Sequence, residues 1–392
     1  MNHVGNAIAS ARSNWAAMKF DRNELSGAFG DIGTDLPLIV GMILASGLDT
    51  ASVLIVFGAM QLLAAFIYGL PMPVQPLKAV AALVIAQKIG GNIIYGAGLA
   101  IGITMLLLTV TGLIDWLARV IPKSVIRGIQ FGLGLKLASI ALKNYVMADG
   151  ISGCWLAVAG AILTVFLIGN RKYPAAIFVI LLGVVYALIF KLDGSALTAS
   201  IGFDLPKFYV PTLPDIVTGF LVLALPQIPL SLGNSIFATQ QLTEDLFPER
   251  SITVRKISFT YALINIVNPF LSGIPTCHGS GGMAGHYAFG ARTGGSVVIY
   301  GSLYLLLGLF FSAGFEHIVQ IFPLPILGVI LVFESLTLMM LIRDISICKA
   351  DFSIALLVAL TAGFLPYGFV IGLIAGTILA HLVKKGFTGF AD

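Results

Sequence analysis

Two acidic residues, Asp31 and Asp35, stand four positions apart in GAFGDIGTDLPL, with Thr34 between them. Residues four apart share a helical face, and a carboxylate inside an apolar segment is costly enough to imply a task. One of them could hold a coupling proton or pair with a lysine; the plainer alternative is that Asp31 is hydrated at a membrane edge. The lysine is Lys78, in PMPVQPLKAV. Pro71, Pro73 and Pro76 keep that run extended, and Pro76 suits the first turn of a helix, where its missing N–H costs nothing. A second run, IPTCHGSGGMAGH, holds Thr276, Cys277, His278, Gly279, Ser280, Gly281 and Gly282. Thr276 or Ser280 could cap a helix starting there, and the glycines let a ligand approach the backbone. A third stretch, PQIPLSLGNS, places Gln227, Ser231 and Asn234 at helical spacing. They either face a site or form a hydrogen-bonded seam between helices.

What these residues could do together follows from how a helix begins. Its first four amides have no partner within the helix, and that end carries roughly half a positive charge. An anion placed there meets both. Two half-helices facing each other near the membrane midplane would supply about one positive charge, and an inward Lys78 would raise this to about two. That matches a doubly charged oxyanion; a neutral nucleobase would not need it. Lys78 could instead snorkel to an interface. His278 beside Cys277 looks like half of a metal pair, but no second pair stands at suitable spacing, so it reads as a packing or hydrogen-bonding histidine, as does His286. Cys154, Cys277 and Cys348 are scattered without a CxxC, which indicates neither a disulfide framework nor a zinc site.

The elements that must position these groups are membrane helices. Of 392 residues, 58% are apolar and 10% charged, where a soluble domain carries about 25% charge. Apolar runs long enough to cross a bilayer recur near 24–45, 52–70, 72–88, 93–114, 120–141, 152–169, 174–190, 214–236, 255–271, 274–291, 295–313, 321–341, 352–365 and 367–383. The positive-inside rule orients these fourteen spans. With the N-terminus in the cytoplasm, sixteen of the 22 Lys and Arg fall inside, four (Lys88, Lys143, Lys191 and Lys207) outside, and two (Lys78 and Lys136) within spans. Both termini are then cytoplasmic. Residues 1–22 lack the long apolar core of a signal peptide and form a tail or a short surface helix. A net charge of +4 is too small to suggest nucleic acid, and no nucleotide loop, specific nucleophile–base pair or separate soluble domain points to an enzyme.

The chain divides into two seven-span halves, 23–190 and 214–385, with a polar connection at 191–213 and a tail at 386–392. GLPMPVQPLKAVAAL near residue 70 corresponds to SGIPTCHGSGGMAGH near 272, and IPKSVIRGIQFGLGL near 121 to IFPLPILGVILVFESL near 321, an offset close to 200 in both. Seven is odd, so the second half enters from the opposite side, the inverted-repeat plan of secondary transporters. In that plan, short interrupted spans at matching places mark the binding site, and the third and tenth spans are such a pair. Lys136 and Glu334 occupy equivalent places in the fifth and twelfth spans, where they could pair, line a moving interface or be hydrated separately.

ELSGAFGDIGTDLPLIVGM, PMPVQPLKAVAA, PQIPLSLGNSIFA and above all PTCHGSGGMAGHYAFGARTGGS resemble the signatures of the molybdate transporter family, which is related to the SulP sulfate permeases. The resemblance runs from about residue 22 to 385. It implies an all-α integral membrane protein with the 7+7 inverted repeat shared with uracil permease. Spans 1–4 and 8–11 would form a core and spans 5–7 and 12–14 a gate, with substrate between the short helices of spans 3 and 10 and with spans 1 and 8 alongside. The substrate-binding set is then Gln75, Lys78, Gln227, Ser231, Thr276, Cys277, His278, Gly279, Ser280, Gly281 and Gly282, with Asp31, Thr34, Asp35 and Asn234 as coupling or pairing residues. SulP permeases usually carry a cytoplasmic STAS domain after the last span; the sequence runs only a few residues past Lys385, so the molybdate branch is expected. The expected function is secondary active transport of molybdate by alternating access across the cell (inner) membrane. It needs no cofactor, and coupling would be to a proton or sodium. The resemblance also implies a homodimer. The alternatives are a carrier for sulfate or another oxyanion, and an anion channel.

Overall fold

The computed structural model describes residues 12–167, 175–190, 202–250, 252–315, 322–365 and 367–385, apart from a few side chains within helices, that of Glu334 among them. The tail 386–392, residues 1–11 of the N-terminal segment and residues 191–201 of the connection therefore lie outside the described residues. The first apolar segment forms two helices, α1 (Arg22–Ala28) and α2 (Ile32–Ser46), rather than the single span expected. The break at 29–31 has a packing cause: a Cβ on Gly30 would lie 2.5 Å from the Gly285 backbone, so two main chains touch there. Asp49 caps α3 (Thr50–Tyr68) through the Ser52 amide at 2.9 Å. Strand β1 (Val74–Pro76) leads into the ten-residue helix α4 (Lys78–Gln87). α5 (Gly91–Val110) is followed by a helix the sequence reading did not separate, α6 (Leu113–Val120), with Leu113, Trp116, Leu117 and Val120 on one face and Asp115 and Arg119 on the other. α7 (Lys123–Ile140), α8 (Gly150–Leu167) and α9 (Ala175–Phe190) complete the first half.

The second half opens with α10 (Leu213–Leu246), a 34-residue helix that overruns the expected 214–236. A Thr212–Asp215 capping box starts it. Pro226 and Pro229 lack the N–H that an α-helix needs, and the helix adjusts with π segments at Phe220–Ala224 and Ser231–Phe237. At roughly 1.5 Å per residue it spans about 50 Å, against a hydrocarbon core of about 30 Å. Its polar last turns, ATQQLTEDL, supply the excess. Then come α11 (Val254–Val267), β2 (Thr276–His278), α12 (Ser280–Ala288), α13 (Gly295–Phe310), α14 (Leu324–Met340), α15 (Lys349–Phe364) and α16 (Gly368–Lys384). Thr50–Tyr68, Gly91–Val110, Lys123–Tyr145, Gly150–Leu167 and Leu213–Leu246 are each long and apolar enough to cross a membrane, and shorter apolar helices accompany them. The protein is a helical, multi-pass integral membrane protein.

The packing pattern follows the repeat. α3 packs on α13 and α5 on α11; α7 packs on α15 and α8 on α14. Exchanging the halves turns the first contact of each pair into the second. The two strands lie at the centre of this exchange, paired antiparallel with Val74 opposite His278, Gln75 opposite Cys277 and Pro76 opposite Thr276. Thr276 follows Val74 by 202 positions, and Ser280, which opens α12, follows Lys78, which opens α4, by the same 202. At one end of the bundle the connection runs over α3: Lys207 pairs with Asp49 at 2.5 Å, and its amide donates to Ser52 Oγ. Burial alone would raise the Asp49 carboxyl, but hydrogen bonds from Lys207 and Ser52 hold it below its ordinary value.

Candidate functional site

The two Pro- and Gly-rich runs meet inside the bundle. Pro71, Pro73 and Pro76 bar the first from helix, and the second runs extended from Pro275. Exposed peptide groups at this depth would each cost several kcal/mol, so their partners decide whether such a crossing can exist. The strands satisfy each other in part, and the Leu77 amide donates to the Pro275 carbonyl at 3.1 Å. Two side-chain amides supply the rest. Gln61 of α3 accepts from the Val74 amide at 2.7 Å and donates to its carbonyl at 2.6 Å. Asn265 of α11 accepts from the Thr276 amide at 2.9 Å and donates to its carbonyl at 2.6 Å. α3 and α11 are equivalent helices of the repeat, so each strand is clamped from the matching place. Sequence reasoning missed both clamps; the available signal was one buried amide in each of two apolar segments, 204 positions apart.

The half-helix starts are finished differently. Leu77, at the N-cap of α4, has no side chain that can cap it. Gln227 of α10 does so instead: its Oε1 accepts from the Ala79 and Val80 amides at 3.0 and 3.3 Å. Its Nε2 donates to Ser231 Oγ at 3.1 Å, and Ser231 meets the Tyr261 hydroxyl at 2.7 Å. α12 has Gly279 at its N-cap and no side-chain cap, which corrects the expectation that Thr276 or Ser280 would provide one. Thr276 is held by Asn265 and by Asn268, whose Nδ2 donates to Thr276 Oγ1 at 3.3 Å. Ser280 is itself the first helical residue, and its hydroxyl donates to Asn234 Oδ1 at 3.3 Å. A Cβ on Gly279 would fall 1.4 Å from Gln75 Oε1, and one on Gly282 would fall 2.4 Å from Asp31 Oδ2. At Gly281, by contrast, a Cβ would meet nothing within 4 Å, and the residue is exposed. The start of α12 is therefore walled by Gln75 and Asp31 and open at Gly281.

Asp31 and Asp35, expected on one face, serve different neighbours. Both Asp31 oxygens accept from Gln75 Nε2, at 2.8 and 2.7 Å. Asp35 Oδ2 accepts from the Tyr300 hydroxyl at 3.1 Å, and Tyr300 meets Tyr304 at 3.1 Å. Thr34 stays beside Asp31 through its amide, 3.0 Å from the Asp31 carbonyl. Gln75 lies opposite Cys277 in the strand pair, so the Asp31 carboxylate it holds stands at the crossing, where Lys78 opens α4. With both acids ionised, one ammonium and two helix ends of roughly half a charge each, the local sum is about zero. In that ionisation state the two carboxylates would cancel the charge of about two expected from the helix ends and Lys78 alone.

Other residues lie off the site. His278 turns away: its Nε2 contacts Thr260 Oγ1 at 3.1 Å, its ring meets Tyr68 edge-on at 5.1 Å, and its carbonyl accepts from Thr239. His286 contacts Ser296 Oγ at 3.1 Å and packs edge-on against Tyr300. Glu24, unremarked in the sequence, is buried and caps α13, accepting from the Arg292, Thr293 and Ser296 amides at 2.9 Å each. The Glu334 side chain lies outside the described residues, so the expected pairing with Lys136 does too.

The sequence itself now places the chain. A family model described as "Molybdate transporter of MFS superfamily" matches residues 23–137 and 219–338. The chain belongs to the molybdate transporter family. It is 33% identical to "Molybdate transporter 1" of Arabidopsis thaliana, over 91% of this chain and 87% of that relative. Among solved structures, the transmembrane domain of the cyanobacterial bicarbonate transporter BicA aligns with a TM-score of 0.66 at 14% identity, over 93% of this chain and 98% of that one. Murine Slc26a9, an anion transporter in its inward-facing state, aligns with a TM-score of 0.73 at 12% identity, over 96% and 71%. At these identities the likeness is one of fold. Despite the superfamily named in the family's description, this transporter has the SLC26 and SulP architecture.

Proposed function

We propose that the protein is a secondary active transporter that carries molybdate across the cell (inner) membrane by alternating access. The observation that carries this reading is the crossing of two half-helices with Lys78 at one start and an uncapped, open glycine end at the other. A tetrahedral dianion would place its oxygens on the amides of Ser280, Gly281 and Gly282, with its charge offset by Lys78. Gln75, Gln227, Ser231 and Asn234 hold that frame; His278 and Thr276 support the strand from behind.

The near-zero local charge bears on coupling. A dianion entering would leave the site about two charges negative, an expensive state away from water. A proton on Asp31, released from its two-fold contact with Gln75, would relieve this and bind together with the anion. The proposed coupling ion is therefore a proton, with Asp31 as its carrier and Asp35 as a fixed partner of Tyr300.

The proposed topology has fourteen spans with both termini cytoplasmic, repeats at 23–190 and 214–385, and a homodimer as the assembly. Purified protein in proteoliposomes should take up molybdate saturably, faster with an inward proton gradient, and Lys78→Ala or Gly281→Leu should abolish uptake. Normal uptake by both variants would contradict the site. Stronger competition by sulfate than by tungstate would assign a sulfate carrier on the same scaffold. A non-saturating current independent of any gradient would assign a channel.

A further inference from the structure

A second charged place lies along the same seam, away from the strand crossing. A cavity of about 300 Å³ opens between α4 and α10 on one side and α7 and α16 on the other, with Leu83, Gln87, Pro226, Lys136 and Phe369 among its walls. This is the lower end of the range for small-ligand sites. Among the described residues Lys136 is the one charged residue lining it. Its ammonium sits 5.7 Å from the centroid of the buried Phe369 ring, a contact that orients it without neutralising it. Lys78 begins α4 and Gln87 ends it, so the cavity lies roughly 13 Å along that helix from the central site. The opposite wall is the first turn of α16, where Tyr367 is held in a left-handed conformation (φ 54°) and no side chain caps the helix. That end adds a weak positive potential of the same sign as Lys136.

A lysine half-buried among apolar side chains is poorly explained by packing, since Leu or Met would fill the space without the cost of desolvating a charge. The cavity also joins helices from the two sets that alternating access would move apart. We propose that it is an anion-capture site: an oxyanion arriving from the side that the lysine and arginine distribution places outside is held by Lys136 and the Gln87 amide before it passes along α4 to Lys78. This rests on the reading of the central site as an oxyanion site. Lys136 is then an electrostatic recruiter, acting on arrival and not on the transport step.

The test is molybdate uptake by proteoliposomes across a range of salt concentrations. Lys136→Ala should raise KM about tenfold, leave the saturated rate within about twofold, and flatten the rise of KM with ionic strength. Lys136→Arg should restore all three. Lys136→Cys should behave like the alanine variant, recover when modified from outside by a positively charged thiosulfonate, and worsen with a negatively charged one; wild-type protein given the same reagents controls for the native cysteines. A wild-type KM and salt dependence in Lys136→Ala would overturn the proposal. If Lys78→Ala is then inactive, only the capture site falls; if Lys78→Ala is also normal, the central site falls with it. A wild-type KM restored in Lys136→Ala/Glu334→Gln would show that Lys136 serves only to balance Glu334, and would overturn the proposal as well.

Discussion

The two half-helices occupy equivalent places in the repeat, yet their ends are finished in opposite ways. At the start of α4 the amides of Ala79 and Val80 are already taken by Gln227, and the charge is a side chain, Lys78. At the start of α12 there is no capping side chain, and glycines stand at 279, 281 and 282. The first arm presents a charge, with the Ala79 and Val80 amides taken by Gln227; the second presents amides that no side chain caps among the described residues. An inverted repeat gives the two arms the same backbone path, and substitution at positions 202 apart finishes them differently; on the proposed reading the two ends then share the holding of an anion.

The comparison breaks most visibly at Lys78. A charge-assisted hydrogen bond lost there is worth about 1.5–3 kcal/mol, so Lys78→Ala should lower molybdate affinity by about ten- to a hundredfold, while Ser280→Ala should cost about threefold or less, since among the described residues its hydroxyl bonds to Asn234. Binding to purified protein, followed by titration calorimetry, distinguishes the two. Gly281→Leu should match Lys78→Ala in lost uptake yet fold normally, because a side chain there meets open space. Gly282→Ala should instead lower both uptake and thermal stability, because its Cβ would strike the Asp31 carboxylate.

Smaller effects belong to the frame. Gln61→Ala and Asn265→Ala each strip two strand groups of their partners and should destabilise the protein by about 1–3 kcal/mol, read as a lower melting temperature in detergent. Similar losses for the two would support their equivalence in the repeat; a silent Asn265→Ala would break it. Gln227→Ala removes the cap of α4 and should cost about 1 kcal/mol. The smallest effect is far from the crossing. The Arg127 guanidinium beside Asp344 holds its carboxyl below the usual range, against the opposing effect of burial and with help from Lys123 at 2.8 Å. Because the folded-state value is depressed, this contribution is complete above about pH 4 and fades only as pH falls through the lowered value. The cluster is partly exposed, so Asp344→Asn should cost about 1 kcal/mol or less at pH 7, with no change in melting between pH 5 and 8 assignable to this group.

The strand crossing was legible in the sequence because proline and glycine forbid a continuous helix there and leave short apolar remnants at matching places. Residues 71–78 and 273–282 accordingly meet. The break in the first segment was not legible: GAFGDIG carries no proline before Asp31, and only the approach of Gly285 shows why the chain turns. The roles of Gln227 and Glu24 were hidden for a related reason. Both cap helices distant in sequence, and local spacing reports only caps supplied by a helix's own first residues. The overrun of α10 was masked by its polar last turns, which an apolar count discards. The expected charge of about two counted the helix ends and Lys78 alone, although Asp31 and Asp35 were already possible partners of that lysine.

The central claim is that one anion lies between the arms, on the open amides of one and the lysine of the other. Crystals grown with tungstate, measured for anomalous scattering from tungsten, test it most directly. The account predicts a single strong peak beside Lys78 within hydrogen-bond distance of the Ser280 to Gly282 amides, absent in Lys78→Ala. A peak at another place in the bundle, with this crossing empty at saturating tungstate, would contradict it.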